Sequence, residues 1–456
     1  VAGGGCAGVA AAIAAARGGA KTILIEQLYA LGGTMTAGLM TVVSQALLDR
    51  PPIMGEMVDT LVAQGMAYPA SPQYPRRPNP PPIIRVDPEA TKALLSRMVI
   101  EAGVEVLLGT MVVGAVKDGA ALRAVIVENK AGRQAIAGKV FIDATGDGDL
   151  AAQAGCGFDY GHPETGQAQP MSFIALLSGI EAEQVAPFVR ELAEAKDWGS
   201  PKDNLRAEMQ KAGVDPSYAK PTLFYIRPGL FCLMANHQYG VAGTNADELT
   251  AASLQGRAEV HRLVSALRAT GGRWANVRIV ATPEHIGVRE GRRIHGRYTV
   301  STEDLLAGTR HEDAVCEVRF PVDVHSTNPA ETKGIADKKV RAKPYEIPYR
   351  ALLARDVDGL LIAGRNMDYW DNGASSYGAV ILVYYPDEGI PFITVSWAGI
   401  INGWTAMNAR GIIASNNTAY GRADSLEGIS TCFMNRMVAQ YASTVEEGVR
   451  IIERGP

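Results

Sequence analysis

Apolar residues in this chain come in short runs broken by glycine, and the run lengths predict a mixed α/β protein. A helix of small residues is predicted over 9–17 and a strand over 21–25, closing at Glu26. Residues 41–66 read as helical, and 67–82 as a proline-rich loop that fits neither a helix nor a central strand. Asp87-Pro88-Glu89 supplies a cap and first turn to a helix over 87–102, which Gly103 ends. From Val104 to Gly146, apolar segments separated by Gly, Asn and Asp turns predict strands and hairpins. Beyond Asp159 the pattern becomes mixed strands and amphipathic helices. Helices are predicted over 182–197 and 247–270, the second acidic at its start and basic at its end, and both read as scaffold. The most apolar stretch, 377–401, is interrupted by Pro386, Asp387 and Glu388, so it reads as two buried segments and not as a membrane span.

Glycine spacing gives the first of these elements a chemical meaning. Gly3, Gly5 and Gly8 follow the G-x-G-x-x-G pattern, with Cys6 and Ala7 between the last two. Gly3 allows the tight turn off the strand, Gly5 lets the backbone approach a pyrophosphate, and Gly8 lets helix and strand pack closely. The helix end adds N–H groups and the positive end of its dipole. Glu26, at the end of the second strand, is placed to accept from ribose hydroxyls. A second glycine loop follows, containing Gly32, Gly33 and Thr34. A third candidate contact is the strand end Ala144-Thr145-Gly146-Asp147, where Gly146 permits close backbone approach and Asp147 and Asp149 are candidate caps for a helix from Leu150. The apolar run 358–363 ends at Gly364-Arg365, again at the carboxyl end of a predicted parallel strand.

Composition narrows the partners. The 456 residues carry 44 Lys+Arg against 48 Asp+Glu, without a basic block or an aromatic-interleaved basic stripe, which argues against nucleic acid. The five cysteines are scattered with no C-x-x-C, so neither a disulfide framework nor a zinc site is predicted. No metal is expected, since no spacing such as H-E-x-x-H occurs. The chain opens inside a strand without Met, so preceding residues are expected to be missing. A cytoplasmic protein with a small-molecule substrate and no membrane or nucleic-acid partner is the expectation, with a homo-oligomer left open.

Taken together, GGGCAGVAAAIAAARGGAKTILIE, LGGTMTAGL, IDATGDGDLAAQAG, QPMSF, IGVREGRRIHGRY and IPYRALLARDVDGLLIAGRN resemble the FAD-dependent oxidoreductases related to fumarate reductase flavoproteins, within the wider glutathione-reductase-like superfamily. The resemblance runs from Val1 to Asn366. It implies an α/β fold: a Rossmann-like FAD-binding domain (three-layer ββα) made of 1–160 and 342–456, with an inserted α+β substrate domain over 161–341. It implies FAD, held covalently or not. Gly32, Gly33 and Thr34 would lie along the ribityl and flavin side, and Val113 near the adenine. Many superfamily relatives have Asp after the last glycine, where this family commonly has Arg, as at Arg365. Past Asn366 the expected M-P-x-C patch and G-Q-A-A-G helix are missing, so the flavin-end contacts are not placed.

The predicted inserted region carries the candidate chemistry. Arg289, Arg292, Arg293 and Arg297 form a dense cationic group, with Arg289 and Arg293 on one face of a strand-like segment. Either they clamp an anionic substrate or the FAD pyrophosphate, or they pair with Glu290, Glu303 or Asp304. His237, His285 and His295 are candidate acids or bases, because imidazole titrates near operating pH. His285 is preferred, with His237, Arg289 and Arg293 as the other catalytic candidates. Tyr298 and Tyr349 are secondary proton donors; His162, His311 and His325 rank below them, and His261 last. The predicted activity is hydride transfer between flavin N5 and a small polar, anion-compatible substrate. The alternative is a catalytically degenerate FAD-fold protein serving as a subunit of an assembly. A plain NAD dehydrogenase would explain the first motif but not ATGDGD or LLIAGR.

Overall fold

The computed structural model describes residues 1–44, 52–69, 83–189, 192–193, 199–318, 322–335, 341–363, 379–384, 392–397, 405–408, 413–415, 438 and 440–453. Ala2 sits at the centre of a parallel sheet, bridging Ile25 on one side and Asp143 on the other. Ile23–Ile25 pairs outward with Glu105–Leu107, and Phe141–Asp143 with Leu360–Ile362, all parallel. Strands this short are held by burial on both faces. Their alternation sends Leu24 to one side and Ile25 to the other.

On the first side, helices Cys6–Arg17, Pro52–Ala63 and Pro88–Glu101 close a core around Val9, Ile13, Leu24, Val58 and Leu95. Ile13 and Leu24 are fully buried, and each contributes about 1.5–3 kcal/mol by leaving water. Asp87 Oδ1 accepts from the Glu89 and Ala90 N–H groups, at 3.0 and 3.2 Å, so the predicted cap is present. On the other side lies the antiparallel meander Met111–Asp118, Ala121–Asn129 and Gly132–Ala137, whose Leu122, Val125 and Val127 pack on Ile25, Phe141 and Leu360.

A separate antiparallel sheet has the order Thr222–Arg227, Leu230–Met234, Ala175–Ser178, Arg278–Ala281. Helix Ala246–Ala269 lays Val260, Leu263, Val264 and Leu267 into the core of this sheet, beside Phe173, Phe231 and Trp274. Asn245 caps it by accepting from the N–H groups of Asp247 and Glu248.

Some predicted elements differ. Residues 41–66 are not one helix: Val42–Ser44 is a strand and Pro52–Ala63 a helix, with residues 45–51 outside the described residues. Two valines favour the strand, and proline suits a first helical turn but not an interior. Ala67–Pro69 is also a strand, paired with Ile83–Val86; residues 70–82 lie outside the described residues. Of the helix predicted over 182–197, Ala182–Val185 is a single turn followed by a 3-10 turn at Ala186–Phe188, and residues 190–191 and 194–198 lie outside the described residues. The chain leaves helical geometry at Val185 and is extended by Val189, which bridges Leu223. The apolar stretch near the C-terminus forms paired strands, Ala379–Tyr384 with Phe392–Trp397, extended by Thr405–Asn408 and Ile413–Ser415 into a four-stranded sheet. Among the described residues, no helix is long and apolar enough to cross a membrane.

Candidate active site

The carboxyl ends of the parallel strands open into a groove of about 510 Å³. Its floor is the glycine turn. Gly3 has φ +94, and a Cβ there would stand 2.3 Å from the Ala144 carbonyl oxygen. At Gly8 a Cβ would stand 1.8 Å from the Gly3 carbonyl oxygen. Both positions therefore exclude any side chain. Gly5 differs: a Cβ there would meet nothing within 4 Å, and Gly5 lines the groove with Gly3, Cys6 and Ala7. The first intrahelical bond runs from Val9 N–H to the Gly5 carbonyl oxygen at 2.9 Å. The N–H groups of Ala7 and Gly8 thus have no partner within the helix, the arrangement that suits an anion at a helix start. Gly32 and Gly33 stack on this turn through a bridge between Gly5 and Gly32, and Gly33 and Thr34 line the groove. Gly32 itself supports the turn rather than lining the groove: its N–H donates to the Gly4 carbonyl oxygen, and its own carbonyl accepts from Cys6 Sγ.

Glu26 is 6% exposed and lines the groove. Its Oε2 accepts from the Gly4 N–H at 2.6 Å and its Oε1 from the Leu28 N–H at 2.7 Å. Two bonds fix the carboxylate and leave acceptor capacity toward the groove. Thr110, Met111 and Val112 line the groove, and Val113 is not among its lining residues. The pairing register shifts between Val112 and Gly114, so Val113 falls at an irregularity of the strand.

Ala144, Thr145, Gly146 and Asp147 all line the groove. The helix that follows is Asp149–Gln153, with Gly148 as N-cap in left-handed geometry and no side-chain cap. Neither Asp147 nor Asp149 caps it, contrary to expectation. Instead Asp143, 1% exposed, accepts from the Thr145 N–H and hydroxyl through Oδ1 and from the Ala151 N–H through Oδ2. Thr145 Oγ1 accepts from the Asp149 N–H. Asp149 is thereby free to pair with Arg292, whose Nη1 also donates to the Asp147 carbonyl oxygen.

The opposite wall comes from the antiparallel-sheet region. Gly243, Leu249, Thr250, Ser253 and Leu254 face the groove there, as do Glu284, His285, Ile286 and Val288. Residues 249–254 belong to a helix read from sequence as scaffold only. Its amphipathic spacing shows a buried face but not what its open face covers.

Of the four predicted catalytic residues, His285 alone lines the groove. Its Nδ1 lies 3.1 Å from the Ile286 carbonyl oxygen, so Nδ1 carries the proton and Nε2 is the acceptor in the neutral ring. The four arginines do not converge on the groove; each has its own partner within the chain. Arg293 pairs with Glu290 and donates to the Gly161 carbonyl oxygen, and Arg297 pairs with Asp358. Arg289 turns away from the groove to donate to Ser172 Oγ. His237 is 2% exposed, with Nδ1 3.1 Å from the Tyr239 hydroxyl. His325, ranked low as a loop residue, is 5% exposed, and its ring centroid is 4.8 Å from that of His237. Its spacing in the sequence carries no sign of this burial. His295 sits between Asp159 and Arg355 in a surface network. Gly364 and Arg365 lie outside the described residues. Among the described residues, no group of His, Cys, Asp and Glu could hold a metal ion.

A family model described as FAD dependent oxidoreductase matches residues 1–377. The chain belongs to that family. A second model, acyl-coenzyme A:6-aminopenicillanic acid acyl-transferase, matches residues 355–456. No curated protein matches the sequence. Solved structures resembling this FAD dependent oxidoreductase include a geranylgeranyl bacteriochlorophyll reductase-like protein from Thermoplasma acidophilum, at 12% identity, TM-score 0.38, covering 63% of this chain and 64% of that one. The flavin-dependent monooxygenase PieE, in complex with FAD and substrate, matches at 13% identity and TM-score 0.42, covering 65% and 50%. The p-nitrophenol 4-monooxygenase PnpA from Pseudomonas putida DLL-E4 matches at 10% identity and TM-score 0.38, covering 65% and 69%. The chain spans about half to two thirds of the length of the first such structures.

The cofactor of the family is FAD, and the groove fits its ADP half. The turn excludes side chains at Gly3 and Gly8 and leaves Gly5 bare, as a pyrophosphate requires. Glu26 offers an acceptor beside it, where a ribose would lie.

Proposed function

We propose that the protein catalyses hydride transfer between flavin N5 and a small polar substrate, with His285 as the proton-handling group. The observation that supports this most is the two-sided groove: the glycine cradle forms one wall, and His285, Ile286 and Val288 form the other. We read residues 161–341 as an inserted α+β substrate domain facing a Rossmann-like cofactor domain made of 1–160 and a C-terminal return that includes Leu360–Ile362. FAD, when bound, supplies the centre that accepts or gives the hydride. The chain does the rest. The helix end at residues 7 and 8 holds the pyrophosphate, and Glu26 orients the ribose. Thr250 and Leu254 narrow the groove against water, and His285 takes the substrate proton at Nε2.

The test is anaerobic reduction of the FAD-loaded enzyme by a panel of small alcohols, amines and hydroxy acids. A substrate should bleach the flavin, and His285→Gln should retain flavin while slowing the bleaching about 10²–10⁴-fold, the usual worth of a general base. Equal rates in the variant would remove His285 from the mechanism.

A further inference from the structure

A second cleft, of about 630 Å³, opens where three loops meet. Residues 162–167 supply one wall, Tyr239 and Gly240 a second, and residues 327–331 a third. It shares no lining residue with the cofactor groove, and its volume falls within the roughly 300–1,000 Å³ of small-molecule sites.

Each wall is held by bonds within the chain. The first loop closes on itself: His162 N–H donates to the Gln167 carbonyl oxygen at 2.9 Å, and Gly166 N–H to the His162 carbonyl oxygen at 2.8 Å. Gly161 starts this loop at φ +65, and a Cβ there would stand 2.3 Å from the Gly166 carbonyl oxygen, so the closure depends on glycine. The third loop is stapled by Ser326 N–H to the Gly334 carbonyl oxygen, Asn328 N–H to Ser326 Oγ, and Ala330 N–H to Asn328 Oδ1. Tyr239 is anchored to the interior. Its hydroxyl lies 3.1 Å from Nδ1 of the buried His237, whose N–H donates to Ser217 Oγ, and Ser217 Oγ donates in turn to Glu259. The phenol oxygen is thereby engaged, and the ring is what Tyr239 offers to a ligand. Walls ordered in advance spare a ligand the cost of ordering them.

The side chains select what enters. Among the described residues no lysine or arginine lines the cleft, and Glu331 is its one carboxylate, so a phosphate or carboxylate ligand would find no countercharge. Donors and acceptors are interleaved instead. Glu164 N–H donates to His162 Nδ1, which leaves Nε2 as the N–H donor of the neutral ring. The Thr165 and Thr327 hydroxyls and the exposed Gln167 amide can each donate and accept. Glu331 Oε1 accepts from Asn328 Nδ2 at 3.2 Å, and Oε2 remains as an acceptor. A fixed aromatic ring beside such groups suits a molecule with an apolar face and a rim of hydroxyls. We propose that this cleft binds a neutral saccharide, its ring face on Tyr239 and its hydroxyls on Gln167, Thr327 and Glu331. The site does not rest on the flavin chemistry.

Calorimetric titration of the purified full chain tests it. The neutral probes are methyl α-D-glucoside, methyl α-D-galactoside, maltose and cellobiose; D-gluconate and glucose 6-phosphate are the anionic counterparts. At least one neutral sugar should bind, and both anions should bind it about tenfold more weakly or worse. Gln167→Ala and Thr327→Val should each weaken the best sugar about two- to tenfold, the worth of one hydrogen bond. Combined, they should weaken it about tenfold or more, as should Tyr239→Leu. No binding of any neutral sugar, anions that bind as tightly, or unchanged affinity in the Gln167→Ala/Thr327→Val double variant would overturn the proposal. That double variant carries the test if Tyr239→Leu does not fold. A chain that binds a sugar but takes up no FAD supports this site and defeats only the cofactor reading.

Discussion

Two alanine substitutions one helical turn apart should have opposite signatures. At Gly8 the added Cβ lies 1.8 Å from the Gly3 carbonyl oxygen and 3.1 Å from Ala144 Cβ. Real Cβ atoms essentially never come closer than 3.0 Å, so helix Cys6–Arg17 would have to move by 3.0 − 1.8 = 1.2 Å against backbone. Overpacking of this kind costs about 1–3 kcal/mol, and a backbone obstacle puts Gly8→Ala at the upper end. At Gly5 the Cβ meets nothing within 4 Å, and φ −67, ψ −176 is extended backbone open to alanine. Gly5→Ala should therefore cost less than about 1 kcal/mol, mostly through a poorer N-cap. Its methyl group nevertheless enters the groove where a pyrophosphate must touch the backbone. Losing one charge-assisted bond there costs about 1.5–3 kcal/mol, roughly ten- to 150-fold in FAD affinity. Thermal unfolding without FAD, followed by titration of flavin fluorescence, reads both quantities. The expected pattern is an unstable Gly8→Ala and a stable Gly5→Ala that holds FAD poorly. A Gly5→Ala protein that binds FAD like the wild type would refute the placement of the pyrophosphate.

Three further outcomes follow from the same contacts. Asp143→Asn replaces an acceptor by a donor in a site that already receives three hydrogen bonds; stability should fall by about 1–3 kcal/mol in denaturant titration. Arg292→Ala frees the Asp147 carbonyl and Asp149 at the groove floor; FAD should bind about three- to tenfold more weakly, for one bond worth ~1 kcal/mol, with the apo unfolding temperature nearly unchanged. His237 and His325 are held neutral in the fold while the unfolded chain protonates them near pH 6.5. Because the unfolded state binds more protons, stability should rise with pH through that window and fall as pH drops from 7 toward 4. The two together add at most two protons to the slope, ~1.4 kcal/mol per pH unit each, and His325→Gln should flatten it. A pH-independent stability between 4 and 7 would contradict the burial of these rings.

The cofactor side was legible because its chemistry is local. Gly3, Gly5, Gly8 and Glu26 lie in one strand–helix–strand unit, and their spacing carries both fold and ligand. Ala144 and Gly146 come from a strand far along the chain, yet a glycine at the end of an apolar run still marks them. Legibility ended where placement depends on pairing between distant segments. The spacing of Arg289 and Arg293 predicts a shared face, but Ser172 and Gly161 draw them apart. His325 reads as a loop residue because its burial is imposed by Tyr218 and His237. The first N–H groups of helix Asp149–Gln153 are met by Thr145 and Asp143, upstream of the glycine that starts it, and not by the acids beside it. The departure from the flavoprotein pattern after Asn366 falls within the region, residues 355–456, that matches the acyl-transferase family model.

FAD binding by the glycine cradle and Glu26 can be read directly from the flavin chromophore. The most direct measurement is the visible absorption spectrum of the purified chain after incubation with FAD and gel filtration, taken before and after denaturation. A flavin band should travel with the wild-type protein and be strongly reduced in Gly5→Ala. A colourless wild-type protein that takes up no FAD would contradict it.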